Sequence, residues 1–329
     1  MMHWLIELSG EHPTLPSAEA AACFEALKAR ATDVEVDGPL MTFAAEAKPE
    51  LVAERLALSH FVNEEIAAGA FEDILAASEK LDLAGARFMV RAPARGGSVR
   101  KSVEEKIGKA LAGTGKVDLG QPEVTFRVHE GKKWHLSRVL CKVNRTEFER
   151  RRPANRPFKK PVMLHPRLAR ALVNLSRVSY GGRLLDPFCG TGGILLEASL
   201  VGAEIVGSDI DGEMIAGSRK TLSHFNRTGR LIMADVGKLS SLVEKVDAIA
   251  TDPPYGRSSS TKSESIESLY PRAFEAFGQL LKPGAHLAIC LPEERHATMA
   301  GPDLKLEETY PVRVHGSLTR HFTVFSRSR

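Results

Sequence analysis

The chain has 329 residues, of which 43% are apolar and 26% charged, and its formal net charge is +4. This composition is typical of a soluble globular protein long enough for two or more domains. No run of eighteen apolar residues occurs, and MMHWLIELSG at the start lacks the basic flank and cleavage site of a signal peptide, so we expect a cytoplasmic protein without a membrane partner. The cysteines contain no C-x-x-C pair, which argues against structural zinc and a disulfide framework; they are Cys23, Cys141, Cys189 and Cys290.

The charge is distributed unevenly along the chain. Residues 87–170 contain 22 lysines and arginines against seven aspartates and glutamates, whereas the rest of the chain is acidic. A solvated basic face would explain such a block, but so would a polyanion whose phosphates these side chains neutralise. Within the block, ERRRPANRPFKKP (residues 149–161) has three prolines and no apolar periodicity, so we interpret it as a linker that touches the polyanion.

Short alternating segments and one helical stretch predict a small α+β unit before residue 60. Trp4, Ile6 and Leu8 alternate in one predicted strand, VEVDG and PLMTFAAEA follow as two more, and a helix is expected near 17–30. A second unit follows, with a strand in GARFMVRAP, a helix in SVEEKIGKALAGTG and a hairpin in PEVTFRVHEGKKWHLSRV.

Strands and helices alternate after the linker. RLLD, EIVGSD, RLIMAD, VDAIATD and AHLAICLP are predicted strands, mostly with helices between them. KLEETYPVRVH and RHFTVFSR, separated by GSLT, read as a terminal antiparallel hairpin. The succession predicts an α/β fold of the Rossmann-like, class I methyltransferase type, with ligands at the carboxyl ends of the parallel strands.

DPFCGTGG (186–193) lies between a predicted strand and a predicted helix. Glycines at this point allow the backbone to approach a ligand closely, since a Cβ at Gly190 or Gly192 would occupy the space. Asp186, Asp209 and Asp235 end three successive strands, where they can accept hydrogen bonds from an ammonium, a ribose and an adenine amino group or water. Helix capping by aspartate is the alternative explanation, and a nicotinamide enzyme would use the same scaffold.

TDPPYG (251–256) distinguishes between these possibilities. Proline has no N–H, so the loop presents only acceptors, the Asp252 carboxylate and the Pro253 carbonyl, beside the ring of Tyr255. An exocyclic amino group could donate to both acceptors while its base stacks on the tyrosine. Asp252 could then stabilise the nitrogen or accept its proton after methylation.

The motifs DPFCGTGGILLEA and DPPYG, with RPFKKPVMLHPRLARALVNLS and RVHGSLTRHFTVF, resemble those of the archaeal and eukaryotic tRNA guanine-10 N2-methyltransferases. The resemblance covers essentially the whole chain and implies a ferredoxin-like region at 1–58, a THUMP RNA-binding domain at 59–145, a basic linker at 146–163 and a Rossmann-like domain at 164–329. It implies S-adenosyl-L-methionine as cofactor and tRNA as partner for a monomer that acts alone or with a small activator subunit, without a metal.

The resemblance also implies roles for individual residues. Asp252, Pro253 and Tyr255 would hold the target guanine amine. The cofactor would contact Asp186, Gly190, Thr191, Gly192, Asp209 and Asp235, with His165 and Pro166 close to it. The basic segment suggests RNA contacts by Arg150, Arg151, Arg152, Arg156, Lys159 and Lys160.

Several alternatives remain at this point. A DNA adenine-N6 methyltransferase shares D-P-P-Y but would need a DNA-reading domain, and a cytosine-C5 enzyme is disfavoured because no cysteine lies between Asp252 and Arg257. A catalytically silent RNA-binding protein is a third possibility. The nearest alternative is a related enzyme acting on guanine 6 of tRNA or on a ribosomal guanine, which often has asparagine at the position of Asp252. The sequence does not distinguish one methyl transfer from two.

Overall fold

The computed structural model describes residues 2–92, 97–160, 163–255, 264–315 and 318–328. These residues form two compact units. Unit one comprises the described parts of Met1–Ser17, Ala29–Ala53 and Ser59–Val143, and unit two comprises Ala18–Lys28, Glu54–Leu58 and the described parts of Asn144–Arg329.

Unit one is built on a single eight-stranded sheet. Its strands are β1 (Met2–Leu8), β2 (Thr32–Asp37), β3 (Leu40–Ala45), β4 (Ser59–Gly69), β5 (Arg87–Arg91), β6 (Lys116–Val117), β7 (Val124–Glu130) and β8 (Trp134–Lys142). They lie in the order β2-β3-β1-β4-β8-β7-β5-β6. Two helices of this unit are α3 (Phe71–Glu79) and α4 (Gly97–Leu111); α1 (Leu15–Ala26) and α2 (Pro49–Arg55) each run across a boundary between the units.

Six of the eight strands of unit one coincide with predicted strands, whereas β4 and β6 were not predicted. Helix α4 buries Val103, Ile107 and Leu111, the three apolar positions whose helical spacing was noted in the sequence, in a core with Phe88 and Phe126. Because β1 pairs with β4, the sheet continues across residue 58, where two separate domains were expected. The division at 58, 145 and 163 therefore stays a prediction; the compact units divide after residues 17, 28, 53, 58 and 143.

Unit two contains a seven-stranded sheet with the order β11-β10-β9-β12-β13-β15-β14. The strands are β9 (Arg183–Asp186), β10 (Glu204–Asp209), β11 (Arg230–Met233), β12 (Val246–Thr251), β13 (Leu281–Leu291), β14 (Leu304–His315) and β15 (Leu318–Arg327). The helices are α5 (Arg145–Arg150), α6 (Pro166–Leu175), α7 (Gly193–Leu200), α8 (Gly212–His224) and α9 (Ile266–Leu280), with 3₁₀ turns at Pro153–Asn155, Val236–Ser241 and Glu294–Met299.

The pairing in this sheet confirms the predicted class I methyltransferase fold. Strands β9 to β13 pair in parallel, and β15 inserts antiparallel between β13 and β14. The strand order reverses at β9, whose neighbours are β10 and β12. In doubly wound sheets the loops that leave the two strands at such a reversal, here β9 and β12, diverge and open a crevice at the carboxyl ends of the strands, where ligands bind. Gly316 and Ser317 of the predicted hairpin turn lie outside the described residues.

The segment interpreted as a linker is partly folded into unit two. After α5, Arg151 is 8% exposed and contacts the fully buried Glu197 of α7 at 2.7 and 3.2 Å, and Arg170 of α6 reaches the same carboxylate at 2.8 Å. A buried carboxylate needs such partners because its charge is otherwise strongly destabilised away from water. The interpretation of this stretch as a surface linker is therefore wrong for the part around Arg151; Pro161 and Val162 lie outside the described residues.

Candidate active site

A cavity of about 690 Å³ opens at the carboxyl ends of the unit two strands. Its wall includes the four aspartates that the sequence places after strands β9, β10, β11 and β12, namely Asp186, Asp209, Asp235 and Asp252. Parallel strands bring their carboxyl ends to one edge of the sheet, so residues far apart in sequence meet there. The structure thus brings together the two motifs that the sequence analysis treated separately.

The glycine loop after β9 has the conformation that only glycine adopts easily. Gly190 has φ +47° and Gly192 has φ +81°, both in the left-handed region. A Cβ added at Gly190 would meet only the Phe188 carbonyl oxygen, at 3.9 Å, so it would point into open space on the cavity side. At Gly192 the added Cβ would meet Ser218 at 3.0 Å, which shows that packing within the protein, rather than a ligand, requires that glycine.

Asp209 anchors the glycine loop to the end of β10. Its Oδ2 accepts a hydrogen bond from the Gly190 N–H at 3.0 Å, and its Oδ1 accepts one from the Asp211 N–H at 2.9 Å. Burial raises its pKa, and these backbone donors act in the opposite direction. The carboxylate is therefore held in a fixed orientation at the cavity wall, where further lone pairs can accept from hydroxyl groups.

Asp186 is the most deeply buried of the four acids. It is 1% exposed, and its Oδ1 accepts from the Thr251 hydroxyl at 2.7 Å and from the Phe188 N–H at 3.2 Å. Burial raises the pKa of Asp186 to about 7, with smaller contributions in the same direction from Asp209 and Asp252. A cation placed beside it would favour the charged form, because it would replace the lost hydration.

Asp235 has a different environment. It begins the 3₁₀ turn by accepting from the Gly237 N–H at 2.9 Å, and Arg272 of α9 donates to it at 2.8 Å. These hydrogen bonds, led by that of Arg272, lower the pKa of Asp235. Asp235 therefore caps the 3₁₀ turn, as the alternative explanation for the acids expects. It also lines the cavity.

The D-P-P-Y loop is fixed by side chains from two distant elements. Arg320 of β15 donates to Asp252 Oδ2 at 3.1 Å and to the Tyr255 hydroxyl at 3.0 Å, and the Tyr255 hydroxyl itself hydrogen-bonds to Asp252 Oδ1. Tyr270 of α9 donates to the Pro254 carbonyl at 3.1 Å. Burial raises the pKa of Asp252, while Arg320 and Tyr255 oppose this effect. Gly256, the last residue of the motif, lies outside the described residues.

Sequence reasoning did not identify Arg320 or Tyr270. Arg320 is 2% exposed although it carries a guanidinium, and it lines the cavity with Pro253 and Tyr255. Its sequence signal was an arginine two residues before Phe322 in a strand that also contains Val324 and Phe325, and a charge among core residues needs a partner when it is buried. The partner could not be named because β15 follows the loop by some 65 residues.

Two residues expected near the cofactor are occupied elsewhere. His165 begins α6, where its ring accepts from the Arg167 N–H at 3.2 Å, and Arg152 donates to its other ring nitrogen at 3.3 Å. Pro166 is the first residue of that helix. In the described part of the chain neither residue forms part of the cavity wall, whereas Met163 and Leu164 just before them do. The expected position of His165 and Pro166 near the cofactor stays a prediction.

The six basic residues assigned to RNA divide into three groups. Arg150, Arg152 and Lys159 are exposed, as the assignment requires. Arg151 and Arg156 are 8% and 2% exposed, and the assignment is wrong for these two because their guanidinium groups are buried. Lys160 lines the cavity and forms an ion pair with Glu213 at 2.8 Å.

Among the described residues, no group of three or more histidine, cysteine, aspartate or glutamate side chains is placed to hold a metal ion. No described helix combines the length and apolar character needed to cross a bilayer.

Comparison with known proteins places these motifs in one family. The family described as "UPF0020: RMKL-like, methyltransferase domain" matches residues 153–321. The tRNA (guanine(10)-N2)-dimethyltransferase of Methanothermobacter thermautotrophicus is 36% identical over 341 aligned residues, covering 99% of this chain and all of the relative. A tRNA (guanine(6)-N2)-methyltransferase from Thermus thermophilus is 34% identical but covers 57% of this chain and 56% of its own. The solved structure of TrmN from Thermus thermophilus matches 99% of each chain with a TM-score of 0.54 and 26% identity.

The sheet order and the cavity at its switch point define a class I methyltransferase, an enzyme whose cofactor is S-adenosyl-L-methionine. The residues fit that cofactor, because Gly190 leaves open space beside the loop and Asp186 and Asp209 offer buried acceptors for its cationic and hydroxyl groups. The chain belongs to the tRNA (guanine(10)-N2)-dimethyltransferase family.

Proposed function

We propose that this protein methylates the exocyclic N2 amine of the guanosine at position 10 of tRNA, and that it adds two methyl groups. The observation that carries the proposal is the Asp252–Tyr255 loop, a rigid set of acceptors on the wall of the cofactor cavity. Identity over the full length to an archaeal enzyme of that name supports the target position and the second methyl group. The retention of Asp252 supports position 10 over position 6, for which asparagine is frequent. We further propose a cytoplasmic monomer that needs no metal.

When bound, the cofactor would supply an electrophilic methyl group whose bond to the sulfonium sulfur breaks during transfer, so that the sulfur leaves as a neutral thioether. Asp186, Gly190, Thr191, Asp209 and Asp235 are the residues that would hold it, and all five line the cavity. Asp186 provides an acceptor for an ammonium and Asp209 for ribose hydroxyls. Gly192 contributes through the backbone conformation of the loop.

Asp252 and the Pro253 carbonyl accept the two protons of the guanine amine, which withdraws its lone pair from conjugation and directs it towards the methyl group. When nitrogen forms its bond to the methyl carbon it becomes cationic, and it then loses a proton. Asp252 is suited to accept that proton, since burial raises its pKa towards the working range of a general base while Arg320 keeps the charged form accessible. Tyr255 provides the ring on which the base stacks.

A direct test uses an unmodified tRNA transcript incubated with the full chain and labelled cofactor, followed by mass spectrometry of the nucleosides. We expect labelled N2-methylguanosine and N2,N2-dimethylguanosine, and neither from a transcript with adenosine at position 10. Label at guanine 6 would instead identify the related enzyme. If the protein binds the cofactor but transfers no methyl group to tRNA, the result would contradict the proposal and favour a non-catalytic RNA-binding protein.

Replacement of Asp252 by alanine tests the catalytic loop. The Asp252→Ala variant should lose roughly 10² to 10³ in methyl transfer rate, because the developing positive charge on the amine loses its stabilising partner. Its affinity for the cofactor, measured by calorimetry, should change little. Asp303→Ala removes a carboxylate that pairs with Arg327 and does not line the cavity, and it should retain the rate. Wild-type turnover by Asp252→Ala would remove the basis for the proposed role.

A further inference from the structure

Arg156 is a buried cation with unused hydrogen-bonding capacity. It is 2% exposed, and its Nε donates to the Arg151 carbonyl at 2.9 Å. Its Nη2 is buried and has no hydrogen-bond partner. Buried polar atoms are nearly always paired, so an orphaned guanidinium nitrogen indicates a missing acceptor.

The charges around Arg156 do not provide that acceptor. The only carboxylate near it within the described residues that affects its pKa is Glu197, which already pairs with Arg151 at 2.7 Å and with Arg170 at 2.8 Å. Arg151 and Arg170 also have Glu147 and Glu19 near them, whereas Glu197 is the carboxylate that Arg156 shares with both. Burial lowers the pKa of Arg156, but an arginine remains charged in proteins, so a second anion is needed for charge balance.

The position of Arg156 shows where the anion would bind. Its guanidinium lies against the first turn of α7, so closely that a Cβ added at Gly193 would be 2.6 Å from Nη1. It lines the same cavity as Asp186 and Gly190. The N-terminus of α7 has free backbone N–H groups and a positive dipole end, which adds to the attraction for an anion.

The other cations of the cavity wall are already engaged. Among the described residues, Lys160 pairs with Glu213 at 2.8 Å and Arg320 pairs with Asp252 at 3.1 Å. Among the described lining cations, Arg156 is the one with a buried nitrogen that has no hydrogen-bond partner, whereas Lys160, which also keeps N–H donors, is partly exposed to water. The other charged side chains proposed to hold the ligand are carboxylates. They can bind the positively charged groups of a ligand that carries both charges, but they cannot bind its negatively charged group.

We propose that Arg156 binds the carboxylate of the methionine moiety of S-adenosyl-L-methionine. This rests on the proposed function, because it assigns one residue to the cofactor of that reaction. Asp186 and Arg156, which line the same cavity, would then receive the ammonium and the carboxylate of one amino acid. A phosphate of RNA is the other anion available, but it would have to enter a cofactor cavity to reach a side chain that is 2% exposed.

A thermodynamic cycle isolates this contact. Calorimetry on the full chain would compare S-adenosyl-L-methionine with decarboxylated S-adenosylmethionine, for wild type and for Arg156→Gln. A charge-assisted contact should make the wild type prefer the carboxylate-bearing ligand by roughly 10- to 100-fold, and Arg156→Gln should reduce this preference to about threefold or less. Arg152→Gln is the matched control, since Arg152 is exposed, lies in the same segment and does not line the cavity.

Each other outcome overturns the assignment. If Arg156→Gln weakens both ligands equally, the residue supports the fold without touching the carboxylate. If it leaves the preference intact and weakens tRNA binding, the missing anion is an RNA phosphate. If the wild type binds neither ligand, the proposed function itself fails, which is a separate result.

Loss of folding is covered by a second variant. Should Arg156→Gln not fold, Arg156→Lys keeps the charge but loses the planar fork that matches a carboxylate. The same cycle on that variant should show a preference reduced by at least about threefold, in line with the loss of one of two charge-assisted hydrogen bonds. An unchanged preference would contradict the proposal.

Discussion

Arg320 connects the two acceptor groups of the proposed amine site. Its guanidinium contacts the Asp252 carboxylate and the Tyr255 hydroxyl, and those two groups also bond to each other. Three groups that restrain one another in this way keep single rotamers, and a site held to a fraction of an ångström reacts faster than a loose one. Arg320 is therefore a positioning residue for Asp252.

Replacement of Arg320 should affect the rate and its pH dependence together. We expect Arg320→Gln to lower kcat by about 10- to 100-fold through misplacement of the loop. Because the guanidinium lowers the pKa of Asp252, its removal should raise that pKa and move the acid limb of the rate profile to higher pH. The measurement is a pH–rate profile under saturating cofactor.

Arg327→Gln is the control for this experiment, since Arg327 lies on the same strand and pairs with Asp303 instead. The Arg320→Lys variant keeps a positive charge near Asp252. The pH of its acid limb should therefore stay close to that of the wild type, whereas its kcat should still fall. A variant with a lowered rate and an unshifted profile would indicate a purely structural role.

Asp186 should make cofactor affinity depend on pH. Its raised pKa of about 7 means that it is protonated below neutral pH in the free protein, and only its carboxylate form attracts an ammonium. Affinity should therefore fall as the pH drops from 8 to 6, approaching a tenfold loss per unit at the acid end. Calorimetry at several pH values measures this.

Asp186→Asn should show weaker binding with a flatter pH profile. Asp209 also has a raised pKa and faces the same cavity, so a small slope should persist in that variant. An Asp186→Asn profile as steep as that of the wild type would assign the titration to another group.

At the scale of single residues, the positions of the acids at the strand ends were predictable from the sequence. Each acid ends its predicted strand, so one short stretch contains both the strand and the acid. The sequence predicted less well where a side chain depends on distant partners. Arg151 and Arg156 look like solvent-exposed charges in ERRRPANRPFKKP, and only the position of Glu197 on α7 shows that they are buried. The composition of this segment shows its charge. Whether an arginine in it is buried depends on the residues that pack against it, and these lie elsewhere in the sequence.

The element that follows unit one, from α5 to the 3₁₀ turn at Pro153–Asn155, contributes to the stability of unit two. Arg151 contacts Glu197 in the interior, while Arg150 pairs with Glu147 at the surface. Removal of one partner from a buried pair is strongly destabilising because the other charge remains in the interior.

Arg151→Ala should lower the free energy of unfolding of unit two by about 3 kcal/mol. The matched change Arg150→Ala removes an exposed ion pair and should cost less than about 1 kcal/mol. Scanning calorimetry would follow the transition that shifts on cofactor addition, which identifies unit two. Equal effects of the two variants would contradict the burial of Arg151.

Most strands, and the parallel sheet of unit two, were predictable because each strand carries its own alternating or apolar pattern, but the single sheet of unit one was not. The assignment of Ala18–Lys28 and Glu54–Leu58 to unit two was not. It depends on Glu19, whose carboxylate accepts from the Ala57 and Leu58 N–H groups and from Asn174. No local pattern in the sequence connects residues that are separated by such distances.

At the scale of the whole molecule, the basic block and the cofactor cavity make separate predictions. A protein that neutralises RNA phosphates releases counterions, so its affinity for tRNA should fall linearly on a logarithmic plot against salt. Cofactor binding in the cavity should depend on salt much less.

The exposed pair Arg150 and Arg152 tests the block. Arg150→Ala combined with Arg152→Ala should lower tRNA affinity and reduce the salt slope by up to about 1.8 if both contact phosphates. Lys282→Ala combined with Arg295→Ala removes the same charge from exposed ion pairs outside the block and should leave the slope unchanged. Fluorescence anisotropy with labelled tRNA measures both, and equal slopes would argue against RNA contact by this segment.

A methyltransferase domain that begins near residue 160, as the sequence suggests, would lack contacts that unit two contains. Such a chain lacks Arg151 and Arg156, which lie beside the buried Glu197. It also lacks Glu19, which accepts a hydrogen bond from the buried Asn174. Unit two is assembled from three stretches of the chain, so its integrity requires segments that flank unit one in sequence.

The place of Arg320 on β15 has a consequence for biosynthesis. The glycine loop and the acids after β9, β10 and β11 are translated long before β15, which must still insert between β13 and β14. A nascent chain that ends before Arg320 has the residues that hold the cofactor but lacks the side chain that fixes Asp252. The order of translation therefore places the residues expected to hold the cofactor well before the side chain that fixes Asp252, so a chain truncated before Arg320 should transfer methyl groups poorly even if it binds the cofactor.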